Sequence, residues 1–93
     1  MSVKKLFDLT GKVALITGGS RGLGLQMAEA LGEMGAKVAI TARKADELKE
    51  AETHLKAKGI EVLTVSNDLS KFEQIPGMVD AVLAKFGTID ILV

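Results

Sequence analysis

Gly18, Gly22 and Gly24 lie close together between an apolar run and a stretch of helical character, with Ser20, Arg21 and Leu23 interleaved. Glycines at this spacing suit a turn that brings backbone amides against a phosphate, because such a turn has no room for Cβ atoms and often needs positive φ. A helix that starts at its end points free amides and its dipole at the same spot. The chemistry implied is binding of a nucleotide diphosphate. The alternative is that the glycines only let a helix pack closely on a strand. The context favours the first reading, since the pattern follows a buried-strand run and opens a helix within a longer alternation of β and α.

Further along, dinucleotide sites place an acidic residue about 20 residues past the glycines, where it holds the ribose 2′-hydroxyl. This chain has Ala42 there, followed by Arg43. Without the carboxylate there is no repulsion toward a 2′-phosphate, and the planar donor fork of Arg43 can bind one. Arg21 is placed to reach the same phosphate, whereas the plain alternative for Arg43 is a solvated residue starting a helix. Asp68 follows the third strand, where its carboxylate can accept from an adenine amino group. It also suits a turn before Ser70, and both roles can hold together. Ser20 and Thr17 are either phosphate contacts or turn stabilisers, and His54 is a surface residue. No Ser/His/Asp set, convincing carboxylate pair or metal-ligand cluster is present, so neither catalytic nor metal residues are assigned.

The elements that position these residues follow from periodicity. Val13 to Ile16 is apolar without alternation, as in a strand buried on both faces of a parallel sheet. From Arg21 to Met34 the residues Leu23, Met27, Leu31 and Met34 mark a helical face closed by Gly35. Lys37 to Ala42 is a second strand. Ala45 to Lys58 is a second helix with a stripe of Leu48, Ala51 and Leu55, ended by Gly59. Glu61 to Val65 is a third strand, and Ser66 to Asp68 a loop. Ser70 with Glu73 reads as a capping box before a third helix faced by Phe72, Ile75, Val79, Val82 and Phe86. Pro76 implies a kink or restart, and Ile89 to Val93 begins a fourth strand. The leader to Phe7 looks flexible, and Asp8 to Gly11 reads as a turn. The resulting fold class is α/β, a partial Rossmann-type doubly wound parallel sheet, βαβαβαβ with right-handed crossovers and strand order 3-2-1-4.

Ninety-three residues make one short domain, with 47% hydrophobic residues and a mean hydropathy of +0.27. Twelve basic and twelve acidic residues cancel to zero charge, which argues against nucleic acid or an anionic membrane as a partner. Cysteine is absent and histidine occurs once, which excludes a disulfide framework and a histidine-rich metal site. The amino terminus lacks the apolar run of a signal or membrane span. A soluble, cytoplasmic protein is expected.

TGGSRGLG at Thr17 to Gly24 resembles the TGxxxGxG fingerprint of the short-chain dehydrogenase/reductase family. Asp68 and Leu69 resemble that family's adenine-contacting pair, and FGTIDILV at Phe86 to Val93 its approach to the fourth strand. The resemblance implies cofactor contacts from Gly18, Ser20, Arg21, Gly22, Leu23, Gly24, Arg43, Asp68 and Leu69. Arginines at the Arg21 and Arg43 positions usually accompany NADP(H), whereas NAD(H) members place Asp where this chain has Ala42. The implied full-length parent is a homo-oligomer acting on a small alcohol or carbonyl substrate by hydride transfer. In the family an Asn-Asn-Ala-Gly motif follows the fourth strand, and the catalytic Asn, Ser, Tyr and Lys lie in or after it. Residues 1–93 stop before all of them, so the resemblance implies the amino-terminal cofactor portion of one domain, inactive by itself. A stand-alone nucleotide-binding module or sensor is the competing reading. A four-stranded sheet with one face partly uncovered favours the fragment.

Overall fold

In the computed structural model, which describes residues 8–68 and 70–93, four short strands form one parallel sheet. The leader to Phe7 and Leu69 lie outside the described residues. Strand β1 (Val13–Thr17) leads through α1 (Gly22–Glu33) to β2 (Lys37–Ala42), and α2 (Ala45–Ala57) joins β2 to β3 (Val62–Ser66). A 3-10 turn at Phe72–Gln74 runs into α3 (Ile75–Phe86), which returns the chain to β4 (Ile91–Leu92). The strand order is β3-β2-β1-β4. This is the expected doubly wound arrangement, and it places β1 at the centre with the order reversing between β1 and β4.

Alternation along the strands divides the core into two layers. Ala14, Ile16, Val38 and Ile40 face α1 and α2, meeting Ala28, Leu48, Ala51 and Leu55. Val13, Leu15 and Ala39 face α3, meeting Met78 and Val82. The second helix buries its expected stripe of Leu48, Ala51 and Leu55. The first does not. Leu23 is 71% exposed, and the buried residue of α1 is Ala28, with Leu25 and Leu31 packed alongside. Close approach explains the change. A Cβ added at Gly24 would strike the Gly18 carbonyl, and one at Gly32 would meet Ile60 Cγ2 at 2.5 Å. The helix therefore seats along Gly24, Ala28 and Gly32, a line of small residues at i, i+4 spacing, against the glycine turn at one end and Ile60 at the other. Large apolar residues flank that line.

The expected capping box is also corrected. The Ser70 hydroxyl donates to Asp68 Oδ1 at 2.7 Å instead of capping a helix, and α3 starts at Ile75 without a side-chain cap. Pro76 falls in its first turn, where its missing N–H removes no helical bond, and this is the restart that proline required. Phe72 precedes that helix and is 82% exposed, while Met78 takes the buried position.

Strand β3 is displaced by one residue from the expected span. Strand β4 is shorter than expected, although backbone bonds to β1 flank it: Asp90 N–H donates to the Val13 carbonyl at 2.8 Å and Val93 N–H to the Leu15 carbonyl at 2.9 Å, while Val13 N–H donates to Asp90 Oδ2 at 2.9 Å. One helix covers one sheet face where two cover the other. Leu83 on α3 and Leu92 on β4 are exposed.

Candidate functional site

At the carboxyl ends of β1 and β2 a cleft of about 350 Å³ opens beside the glycine turn, bordered by Gly18, Ser20, Arg21, Arg43, Glu47 and Asp68 among others. The turn is tied to the sheet at its start. Gly18 and Gly19 N–H both donate to the Thr41 carbonyl, at 2.8 and 3.2 Å. These two amides therefore shape the turn, and the amides left without a helical partner are those of the first turn of α1. Gly22 begins that helix with φ +61°, and a Cβ built on it meets nothing within 4 Å. Arg21, at the N-cap, is extended and provides no side-chain cap, and no acidic residue occupies the first turn. The first amides of α1 and the positive end of its dipole thus have no capping side chain.

Charged side chains surround this opening. Arg21 Nη1 lies 3.5 Å from Glu47 Oε1, with the arginine largely exposed and the glutamate mostly covered. Ser20 Oγ donates to the other oxygen of Glu47, also at 3.5 Å. Arg43 and Lys44 border the same cleft. Below them, Asn67 is buried, its N–H donating to the Ala42 carbonyl at 2.9 Å and its Nδ2 to the Gln74 carbonyl at 3.1 Å. Its Oδ1 has no partner among the described residues.

Asp68 accepts at Oδ1 from both the hydroxyl and the N–H of Ser70, at 2.7 and 3.0 Å. The Ser70 hydroxyl first, then its N–H, hold the Asp68 carboxyl below its ordinary 3.8, with Arg43 and Lys71 adding weaker charge effects. A carboxyl depressed by folding stabilises the fold above its unfolded value, and that contribution disappears as pH falls through the lower folded value. Ser70→Ala is expected to return the Asp68 titration toward 3.8, followed by carboxyl-carbon NMR. An unchanged titration would show that the Ser70 bonds do not control this carboxyl.

Comparison with known proteins identifies the family. The short chain dehydrogenase family model matches residues 12–93. The chain belongs to the short-chain dehydrogenase family. L-Sorbose reductase from Gluconobacter frateurii, solved with NADPH and L-sorbose, is 42% identical and superposes with a TM-score of 0.88 over 92% of this chain and 33% of its own. Gluconate 5-dehydrogenase of Gluconobacter oxydans is 38% identical over 93 residues, all of this chain and 36% of that enzyme. An NAD+-bound xylitol dehydrogenase is 36% identical, with a TM-score of 0.87 over 90% of this chain and 32% of its own. The chain spans about a third or less of the length of the curated relatives it matches.

Within this short-chain dehydrogenase segment, Gly18, Ser20, Arg21, Arg43 and Asp68 meet at one cleft, with Gly22 and Gly24 at the helix start above it. Leu23 is exposed beside them. Thr17 Oγ1 donates to the Val93 carbonyl at 3.1 Å, which makes it a strand stabiliser. His54 is at the surface as expected but is engaged, with Nε2 2.7 Å from Glu29 Oε1. Among the described residues no group of acidic or histidine side chains is arranged to hold a metal, and no helix is long and apolar enough to cross a membrane. Sequence reasoning missed Glu47 and Asn67. Glu47 sits in the first turn of α2 with Asp46, where an acidic residue is ordinary, so nothing in its position signalled a contact across the cleft.

Proposed function

We propose that residues 1–93 are the amino-terminal, NADP(H)-binding part of a single Rossmann domain in a short-chain dehydrogenase. The full-length protein would interconvert an alcohol and a carbonyl by hydride transfer. The observation that carries this reading is that Arg21 and Arg43 border one cleft beside the glycine turn, while β2 ends in Ala42 instead of a carboxylate. The NADPH in L-sorbose reductase supports the cofactor, while the NAD+ in xylitol dehydrogenase shows that relatives use both forms.

The turn fits a diphosphate: the space over Gly22 is open, and the first turn of α1 carries neither a side-chain cap nor an acidic residue. On this reading Ser20, Arg21, Gly22, Leu23 and Gly24 hold the diphosphate, and Gly18 sets the bend. Arg43 with Arg21 binds the 2′-phosphate through charge-assisted hydrogen bonds. Asp68 accepts from the adenine amino group, with Leu69 assigned beside it by family resemblance. When bound, the nicotinamide supplies or accepts the hydride. The residues described here bind and orient, and proton transfer to substrate is assigned to the remainder of the full-length enzyme. The partners are then the dinucleotide and a small alcohol or carbonyl compound in a cytoplasmic homo-oligomer, without nucleic acid or membrane.

Calorimetric titration of the full-length protein with NADPH and NADH tests this. NADPH should bind more tightly. Equal affinity would overturn the cofactor choice, and no binding of either would overturn the dinucleotide reading.

A further inference from the structure

Glu47 is the anion already present where this reading puts the 2′-phosphate. Its two carboxylate oxygens contact Arg21 Nη1 and Ser20 Oγ, each at 3.5 Å, and its side chain is only 25% exposed against 80% for Arg21. The glutamate is therefore the better fixed of the two, held at the start of α2 where the helix dipole favours negative charge. Arg21 reaches across to it. An incoming 2′-phosphate, a dianion at neutral pH, must share or displace this contact to recruit the same guanidinium.

We propose that Glu47 is a specificity-determining residue that competes with the 2′-phosphate for Arg21 and so limits the preference for NADP(H) over NAD(H). This rests on the assignment of the 2′-phosphate to Arg43 and Arg21 made above. Neutralising Glu47 frees Arg21 for the phosphate and removes a carboxylate from its vicinity. NAD(H), with a 2′-hydroxyl, gains nothing from the freed guanidinium, and any gain from the freed Ser20 hydroxyl at the diphosphate falls on both cofactors alike. Arg43 has no part in the contact and continues to bind the phosphate in every Glu47 variant.

The test is a set of dissociation constants for NADPH, NADH and adenosine 2′,5′-bisphosphate on the full-length wild type, Glu47→Gln, Glu47→Ala and Arg43→Ala proteins. Glu47→Gln should tighten NADPH and the bisphosphate by about 2- to 5-fold relative to NADH, the range set by losing a partly exposed ion pair. Glu47→Ala should move them in the same direction, which guards against a contact newly made by the glutamine. Unchanged or weaker NADPH binding in both variants, with the Arg43→Ala loss intact, would overturn the role of Glu47 while leaving the cofactor assignment standing. Equal tightening of NADPH and NADH would also overturn it, since the effect would then be general. If Arg43→Ala leaves NADPH binding unchanged, the 2′-phosphate assignment fails and the Glu47 proposal fails with it.

Discussion

Gly24→Ala is expected to destabilise the fold by about 2–3 kcal/mol and to weaken NADPH binding at least roughly tenfold. The added methyl would point into the Gly18 carbonyl and lie 3.1 Å from Gly19 Cα. Both obstacles are backbone, so no rotamer change relieves them and the start of α1 must move off the glycine turn. That movement carries the first-turn amides away from the diphosphate. Gly22→Val separates the two effects. Its Cβ enters open space in the free protein, so there is no clash, and the fold loses only the cost of a branched residue at φ +61°, about 1–2 kcal/mol. The same side chain fills the space that a diphosphate needs, and binding should be abolished while helix content is nearly kept. Denaturant midpoints and calorimetry on both variants check this. Wild-type stability of Gly24→Ala would mean that the helix does not approach the turn so closely in solution, and wild-type affinity of Gly22→Val would remove the turn from the cofactor site.

These two glycines also show where sequence reasoning reaches and where it stops. The two central strands were legible because parallel strands buried on both faces need continuous apolar runs, and Val13 to Ile16 and Val38 to Ile40 have them. Strand order followed from right-handed crossovers together with the doubly wound pattern that the glycine turn implies. The inner face of α1 was not legible, because periodicity weighs large apolar residues and this helix is seated on Gly24, Ala28 and Gly32, which carry little or no hydrophobic signal. The Ser70 motif misled for a related reason. A capping box is a local pattern whose serine oxygen accepts from a helix N–H, but here the 3-10 turn moves the helix start to Ile75, out of reach of Ser70, whose hydroxyl donates to Asp68. At the site, residue types announced Arg21, Arg43 and Asp68. The contact between Arg21 and Glu47 joins two different crossovers, and only the packing of α1 beside α2 brings it about.

The cofactor assignment meets its strongest test at the end of β2. Arg43→Ala should weaken NADP(H) by roughly 10- to 100-fold, the value of a charge-assisted hydrogen bond of about 1.5–3 kcal/mol, and leave NAD(H) nearly unaffected. Ala42→Asp should go further. Residue 42 ends β2 next to the cleft, half-buried and paired in register with Ser66, so a carboxylate placed there stands beside the ribose. It would repel a 2′-phosphate and accept from a free 2′-hydroxyl, moving the preference toward NAD(H). The nearby Asp68 does not supply this effect, because its carboxyl is turned to Ser70. Paired dissociation constants for NADPH and NADH, measured for each variant in the full-length protein, decide the matter. Equal losses for both cofactors would make Arg43 a contributor to folding or to general electrostatics, and no loss for either would leave it a solvated residue at the start of α2.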